Sequence, residues 1–227
     1  MQTKLKIAPI EGSFSLKEHI YEVLKDAIAR MNIYDEGADL RLDERQLSEQ
    51  LRISRTPIRE AIARLEQEGL VTVIPRRGVY ITRKTKTEIL EMITVWAALE
   101  SMAARLITET ASDERIASLR EIFTTFKNGQ VQAHIDEYSD RNIEFHQAIL
   151  EMSGCALLKQ IADGLFLHMR GIRARTIGEK DRAKRSIIDH LHIIEALEQR
   201  DADLAERLVR EHTLNLAAHV EKHVTYL

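Results

Sequence analysis

The sequence predicts a mainly α-helical protein that begins with a winged helix-turn-helix domain and continues as an all-α antiparallel helical bundle. Residues 42–69 contain two short helical patterns joined by a tight turn, which is typical of a helix-turn-helix. Residues 70–82 alternate apolar and polar side chains around a Pro and Gly turn, so we expect a β-hairpin that forms the wing. From residue 85 onward no proline occurs and apolar residues recur at helical spacing, which predicts the bundle.

The composition is that of an ordinary globular protein, since 44% of the 227 residues are hydrophobic and 30% are charged. Cys155 is the single cysteine, so no disulfide can form within the chain and a reducing compartment is expected. No apolar run approaches the roughly 20 residues that a membrane span requires. We therefore expect a cytoplasmic protein without membrane contact. The net charge of −3 hides a mildly basic first part, which alone would not indicate nucleic-acid binding.

The first domain is expected to span residues 1–82, with residues 1–12 as a loose arm. Ser15 and Glu18 have the spacing of a capping box, in which each side chain bonds a backbone N–H at the start of a helix. Apolar residues then recur at helical spacing, which predicts a helix that continues to about Arg30.

Two further helices precede the hairpin. Asp43 is a good N-cap for a short helix over residues 44–51. The next helix begins at Ser54 or Thr56, has a proline in its first turn where a missing N–H costs little, and ends at Gly69. Three helices followed by a hairpin is the element order of a winged helix-turn-helix.

A short polar linker over residues 83–86 is expected between this domain and a helical domain over residues 87–227. Serine and aspartate caps, together with glycine stops, divide the helical domain into six predicted helices. These helices lie near residues 85–108, 112–127, 130–152, 155–177, 181–200 and 202–224.

The third predicted helix combines a buried apolar stripe with a basic tip. Arg55 and Arg59 lie one turn apart on one face, where they could reach guanine edges or phosphates in a major groove. Ser54 and Thr56 could bond phosphate at the helix N-terminus, and Arg77 lies at the tip of the hairpin. These features favour DNA binding, and the alternative is a solvated basic face on an ordinary helix.

The segment from Leu42 to Thr82, which includes SRTPIREAIARLEQEGL, closely resembles the DNA-binding domain of the GntR family of bacterial transcription regulators. The resemblance implies that the protein binds double-stranded operator DNA and is not an enzyme. Regulators of the FadR type contact DNA from positions that match Arg45, Ser54, Arg55, Arg59, Arg77 and Gly78. A glycine at the last position lets the wing backbone approach DNA closely.

In the second domain, helical spacing brings polar side chains onto apolar stripes. At about 100° per residue, Asn142 and His146 fall on the stripe of one predicted helix, whereas Asp140 points to solvent. His190 and His212 fall on the stripes of the last two predicted helices. Burying several imidazoles without partners is costly. Each is therefore either a hydrogen-bonded core or interface residue, or they converge on a metal ion.

Residues 85–227 resemble the all-helical FCD effector domain, through AALESMAARL, NIEFHQAIL and DHLHIIEALEQRDADLAERLVREH. The six predicted helices are similar to the VanR-type subgroup. The resemblance implies a divalent metal site of one Asp or Asn and three His, which fall on Asn142, His146, His190 and His212. Asn142 stands where aspartate is common. Its neutral oxygen should favour Zn²⁺ or Ni²⁺, with Mn²⁺ as a further candidate, and should leave the metal weakly held.

The resemblance also implies that a small organic or sugar acid binds beside the metal. The polar residues expected to point inward are Glu100, His168 and Arg175, with Arg173 as a second choice near Arg175. An arginine could pair with the effector carboxylate through two hydrogen bonds. Alternatively, Arg175 forms a buried ion pair with Glu100 or is exposed. Trp96 stands where the family often has arginine, so the pocket should be more apolar.

The sequence therefore predicts a homodimeric, metabolite-responsive transcription regulator, more plausibly a repressor than an activator. Two recognition helices in a dimer would read the half-sites of a near-palindromic operator. One alternative is a metal sensor, in which the ion itself is the signal. Another is a metal-dependent enzyme in which the histidines activate water. Against the enzyme stand the DNA-binding pattern and the lack of a further inward carboxylate beyond Glu100.

Overall fold

The computed structural model describes residues 16–35, 37–123, 126, 135–225 and 227. The described residues form two compact units. The first unit takes residues up to Ala27 together with Leu40–Thr82, and the second takes Ile28–Asp39 together with Arg83–Leu227. The predicted arm over residues 1–12 lies outside the described residues.

The helices of the first unit have the predicted order. They are α1 (Leu16–Arg30), α2 (Glu44–Leu51) and α3 (Arg55–Gln67). The Asp43 side chain accepts hydrogen bonds from the backbone N–H groups of Arg45 and Gln46 at 2.8 and 3.1 Å, as expected of an N-cap. Gly69 adopts a left-handed conformation with φ of 71° just after α3. Ser15 of the predicted capping box lies outside the described residues.

A small antiparallel sheet completes the first unit. Its strands are β1 (Arg41–Leu42), β2 (Val71–Ile74) and β3 (Gly78–Ile81), in the order β1-β3-β2. The hairpin of β2 and β3 confirms the predicted wing, with Val73 opposite Val79. The edge strand β1 was not predicted, because two residues are too few to give an alternating pattern.

Helix α3 is held by its apolar stripe. Ile58, Ile62 and Leu65 are each at most 3% exposed, and they share the core with Leu70 and Val79. The opposite face of α3, including its first turn, is exposed. A rigid inner face and a solvent-facing outer face are what a DNA-reading helix requires.

The second unit is helical. Its main elements are α4 (Lys86–Thr110), α5 (Asp113–Ser118), α6 (Ile135–Met152), α7 (Ala156–Thr176), α8 (Arg182–Glu198) and α9 (Ala202–His223). Helix α4 packs most extensively along α9 and also contacts α6 and α7. Thr85 and Glu88 form a full capping box at the start of α4. Within the described residues, no helix is long and apolar enough to cross a membrane.

The helix predicted over residues 112–127 differs from the structure. Only Asp113–Ser118 is α-helical, and residues 119–123 continue as tighter 3₁₀ turns. The Leu119 N–H already bonds the carbonyls of Ile116 and Ala117, so the helix tightens at this point. The start of the helix predicted over 130–152 lies outside the described residues.

The boundary between the units also differs from the predicted one, because residues 28–39 belong with the helical unit. Tyr34 is 2% exposed, and its hydroxyl lies 3.0 Å from Nδ1 of His168 on α7. Gly171, one turn further along α7, allows this approach, since a Cβ atom there would lie 3.3 Å from the Tyr34 ring. Arg83 donates hydrogen bonds to the carbonyls of Ile33 and Asp35 at 2.5 Å.

A candidate metal centre and a candidate DNA-binding surface

Three histidines from different helices meet inside the helical unit. His146 on α6, His190 on α8 and His212 on α9 each offer one ring nitrogen, and these nitrogens lie within 4.8 Å of one another. The three side chains are 2%, 0% and 8% exposed. We call this group the histidine cluster. The three histidines therefore converge, which helical spacing alone could not decide.

Each ring of the histidine cluster is oriented through its Nδ1 atom. Nδ1 of His146 bonds Glu100, a fully buried carboxylate on α4. Nδ1 of His212 lies 3.1 Å from Asp189, and Nδ1 of His190 lies 3.3 Å from the hydroxyl of Tyr138. Metal-binding histidines in proteins usually have such a partner on the nitrogen that does not bind the ion.

The donor set fits a tetrahedral ion. Nε2 of His190 and Nε2 of His212 are 3.1 Å apart. Two nitrogens bound to one zinc at about 2.0–2.1 Å lie roughly 3.3 Å from each other in a tetrahedral site, so little movement is needed. Without an ion, one of these two nitrogens must donate to the other. The Asp189 carboxylate holds the His212 proton on Nδ1, so His190 is the donor through Nε2.

Asn142 lies one turn before His146 on α6 and is 2% exposed. Its side-chain oxygen accepts a 3.3 Å hydrogen bond from the hydroxyl of Ser186, which lies one turn before His190 on α8. The prediction that Asn142 is buried is confirmed, and Asp140 is exposed as expected. Asn142 therefore lies on the same side of α6 as His146, and its amide contacts the side of α8 that carries His190.

Arg173 on α7 is a buried cation in direct contact with this group. It is 4% exposed, and its Nη1 atom donates a hydrogen bond to Nε2 of His146. Its Nη2 atom lies 3.6 Å from Glu100, whose Oε2 atom also accepts a 2.7 Å hydrogen bond from Thr213. Because a guanidinium only donates, His146 carries its proton on Nδ1 and directs the Nε2 lone pair toward Arg173.

Burial dominates the proton affinities of the site. It lowers the pKa of His146, His190 and His212, and the positive charge of Arg173 acts in the same direction on all three. Burial also raises the pKa of Glu100, a change that Arg173 and Thr213 oppose. The three imidazoles are therefore neutral near pH 7, which is the form that binds metals.

Of the residues predicted to bind an effector, the structure brings three together. Glu100, Arg173 and Trp96 lie at the interface of α4 and α7, and Trp96 is one turn before Glu100 with its ring 6.4 Å from that of Phe166. The indole N–H of Trp96 lies near enough to favour the ionised form of Glu100. It nevertheless makes no hydrogen bond of normal geometry within the described residues.

Two other predicted effector residues lie elsewhere. Arg175 was expected to point inward, which is wrong, since the side chain is exposed. Two residues along a helix is a rotation of about 200°, so Arg173 and Arg175 face opposite sides of α7. His168 is buried as expected, but its ring contacts Tyr34 rather than the histidine cluster. Burial lowers the pKa of His168 to about 4.

Asp189 and Tyr138 were not predicted as site residues. Asp189 is partly exposed and precedes His190, yet its partner is His212 on another helix. Tyr138 is a buried aromatic residue of α6, and its hydroxyl lies 3.3 Å from Nδ1 of His190. Neither partnership leaves a signal in the sequence, because each pair joins residues of different helices.

The residues predicted to contact DNA lie on one unit at the start of α2, the start of α3 and the hairpin tip. The exposed ones are Arg45, Ser54, Arg55, Thr56, Arg59 and Arg77. Gly78 is partly exposed and has φ of 117°, a conformation that favours glycine. Arg59 donates to Glu44 at 2.7 Å and Arg45 to Glu49 at 3.0 Å, and such exposed pairs exchange readily for phosphate. Ser54 is the N-cap of α3, and its hydroxyl caps no backbone N–H there.

Comparison with known proteins identifies both units. The pattern of the gntR family of bacterial regulatory proteins matches residues 16–81, and that of the FCD domain matches residues 91–215, more than half of the chain. The chain belongs to the GntR family of transcription regulators. Among its relatives, the Nta operon transcriptional regulator of Aminobacter aminovorans is 30% identical over 81% of this chain and 82% of that protein.

Other relatives agree with this assignment. The HTH-type transcriptional repressor RspR of Escherichia coli K12 is 22% identical over 91% of this GntR-family chain and 90% of its own. Escherichia coli McbR/YncC has the same fold, with a TM-score of 0.75 and 24% identity over 94% of this chain and all of that one. This GntR-family protein is therefore a DNA-binding transcription regulator, and the enzyme alternative is excluded because the family and its relatives are regulators.

Proposed function

We propose that this regulator is a repressor whose affinity for operator DNA is controlled by a small organic or sugar acid, bound beside a divalent metal in the helical domain. The proposed metal ligands are Asn142, His146, His190 and His212. Three neutral imidazoles favour Zn²⁺ or Ni²⁺, whereas Mn²⁺ prefers oxygen ligands. A bound ion would supply a positive centre and an open position for an effector oxygen. The relative named as a repressor supports the direction of control.

The observation that carries the effector proposal is the state of Arg173. Its Nε and Nη2 atoms are buried and make no hydrogen bond within the described residues. These two atoms form one edge of the guanidinium, which matches the two oxygens of a carboxylate. Buried donors without partners are costly, so an anion that binds this edge would be favoured. Trp96 adds a third buried donor. Glu100 would orient both His146 and the guanidinium of Arg173.

On the DNA side, we propose that residues 1–82 form the DNA-binding domain and that residues 83–86 link it to the effector domain over 87–227. The DNA-contacting residues would be Arg45, Ser54, Arg55, Thr56, Arg59, Arg77 and Gly78. The regulator would act in the cytoplasm as a homodimer, in which two α3 helices read the half-sites of one operator.

Control requires that the effector prefer one arrangement of the DNA-binding domains over another. The same free energy then couples operator affinity to effector affinity in both directions. An acid that binds the helical domain yet leaves operator affinity unchanged is not the inducer. This test needs only DNA fragments selected from a random library and a screen of small acids.

Elemental analysis of protein purified without chelator tests the metal site. The native chain should retain zinc or nickel, although weakly held, and the His190→Ala variant should lose most of it. Equal metal in both proteins would refute the site. Light scattering of the same samples measures whether the chain is a dimer.

A metal sensor is the second candidate function, and the position of Arg173 favours it. A cation beside the ligands weakens metal binding, so the ion would exchange readily. Operator affinity measured against metal concentration, with and without a carboxylic acid, separates the two functions. A response to metal alone would indicate a sensor.

A further inference from the structure

A cleft of about 360 Å³ runs between the first half of α8 and the second half of α9. Its charged and ionisable lining residues include Arg182, Arg185, Asp189, His212, His219 and Lys222. We call this feature the α8–α9 cleft. None of the effector residues considered above lines this cleft, whereas one proposed metal ligand, His212, does.

The α8–α9 cleft reaches the rim of the histidine cluster. His212 lines the cleft and is the most exposed ring of the cluster at 8%. Asp189, which bonds Nδ1 of His212, and Ser186, which bonds Asn142, also line the cleft. A molecule in the cleft would therefore lie next to the residues that orient the cluster.

The lining of the cleft is positive, although the helical domain as a whole is not. Among the described residues that line it, three are cations, Arg182, Arg185 and Lys222, and one is a carboxylate, Asp189, which is already paired with His212. Residues 87–227 carry more acidic than basic side chains. Cations gathered in a concave site within an acidic domain focus the field and attract anions.

The side chains of the cleft are held in ways that permit ligand binding. Arg182 donates to Thr176 at 3.0 Å, and Arg185 pairs with Asp181 at 3.0 Å in an exposed i,i+4 contact. Exposed pairs of this kind are weak and exchange readily. His219 is fixed by Glu179 at 2.6 Å, which gives this side of the cleft a defined shape.

The histidine cluster connects Arg173 to the cleft. Nη1 of Arg173 donates to Nε2 of His146, and the ring of His146 stacks on the ring of His212 with the ring centres 5.3 Å apart. His212 in turn lines the cleft. Two positive sites thus flank the histidine cluster, one buried and one open.

We propose that the α8–α9 cleft is a second anionic subsite, so that the effector carries at least two acidic groups. One carboxylate would bind the Nε–Nη2 edge of Arg173 beside the metal, and the second, a carboxylate or a phosphate, would bind Arg182, Arg185 and Lys222. The inference rests on the proposed function and narrows its effector class from small organic or sugar acids in general to dicarboxylates and phosphorylated acids. The open end of the site would recognise charge, and the buried end would recognise a planar carboxylate.

The test compares propionate, malonate, succinate and glutarate with the zinc-loaded full chain by isothermal titration. At least one dicarboxylate should bind about tenfold or more tighter than propionate, since each charge-assisted bond is worth more than a neutral one. The Arg185→Gln, Lys222→Gln double variant should reduce that dicarboxylate to the affinity of propionate and leave propionate unchanged. Inorganic phosphate, added as a competitor, should weaken dicarboxylate binding in the native chain only.

The matched control is Arg210→Gln, which removes an arginine with an equivalent i,i+4 ion pair, to Glu206, on α9 outside the cleft. It should leave every affinity unchanged. Equal binding of propionate and all dicarboxylates by the native chain would overturn the subsite, as would loss of propionate in the double variant. A different result would contradict the proposed function itself: equal affinity of Arg173→Gln and the native chain for propionate would show that Arg173 does not bind the effector.

Discussion

The guanidinium of Arg173 donates a hydrogen bond to Nε2 of His146, the same atom whose lone pair a metal ion would need. Nδ1 of that ring is already committed to Glu100, so His146 has no other nitrogen to offer. Arg173 and a divalent ion therefore compete for one atom, and both bring positive charge to a buried site. An anion on the Nε–Nη2 edge of Arg173 would offset part of this repulsion.

The first prediction concerns metal affinity in the absence of any acid. Replacing Arg173 with glutamine removes the competing cation, so zinc affinity should rise at least about tenfold. Competition with a chromogenic chelator measures this directly. Arg175→Gln is the control, because it removes an exposed arginine from the same helix. If both variants bind zinc like the native chain, Arg173 does not oppose the ion.

The same variant also tests the coupling between ion and anion. In the native chain, a saturating dicarboxylate should tighten zinc binding, because the anion neutralises Arg173. In Arg173→Gln this enhancement should disappear, although zinc itself binds more tightly. Opposite effects on affinity and on coupling distinguish an anion anchor from a residue that only supports the fold.

A second prediction concerns the partner of His212. Asp189→Asn should weaken zinc binding about 10- to 100-fold, because the carboxylate that orients the ring and raises its basicity is lost. The same chelator competition gives the value. Asp140→Asn neutralises an exposed carboxylate on α6 and should change nothing. Equal affinities for the two variants would mean that the 3.1 Å contact to Asp189 has no role in metal binding.

Much of this architecture could be predicted from the sequence because it depends on local patterns. The cap at Asp43, the stripe of α3 and the inward histidines all follow from spacing along one element. The inward face of α7 could not be predicted in this way, because its apolar residues do not mark one buried side. Leu157 and Ile161, for example, are 65% and 48% exposed. That ambiguity explains the choice of Arg175 over Arg173.

Contacts between different segments of the chain could not be predicted from the sequence. The pairing of Tyr34 with His168 joins residues 134 positions apart and moves residues 28–39 into the helical unit. The pairing of Asp189 with His212 crosses two helices. Periodicity reports which face of an element is buried, and it does not report which residue of another element lies opposite.

A third prediction returns to the amide of Asn142. Asn142→Asp should tighten metal binding if this residue is a ligand, and the gain should be larger for Mn²⁺ than for Zn²⁺, because a hard ion benefits more from a carboxylate. Asn215→Asp adds the same charge on α9 at the lining of the α8–α9 cleft and serves as the control. A similar gain in both variants would indicate a general field effect rather than a direct bond.

A fourth prediction concerns stability in acid. The pKa of His168 is about 4 in the folded chain, below its ordinary value of 6.5, so the unfolded chain binds more protons between these values. Stability from the neutral ring is complete above pH 6.5 and falls by roughly 3 kcal/mol as the pH drops to 4. Urea unfolding of His168→Gln over this range should show a shallower loss than the native chain. Parallel curves would show that His168 does not titrate in this window.

The last prediction concerns the DNA-binding surface. Arg59 is an exposed side chain whose ion pair with Glu44 contributes little to stability. Arg59→Ala should therefore leave the unfolding midpoint nearly unchanged while it weakens binding to selected DNA. If Arg59 contacts a phosphate, the slope of log affinity against log salt should fall by about one, and if it contacts a base, discrimination between sequences should fall instead. Arg64→Ala is the control, because Arg64 is a partly exposed arginine of α3 that lies over the ring of Tyr21 on α1. Arg64→Ala should lower stability and leave the salt slope unchanged. If Arg64→Ala lowers the salt slope and Arg59→Ala does not, the face of α3 that carries Arg59 does not contact DNA.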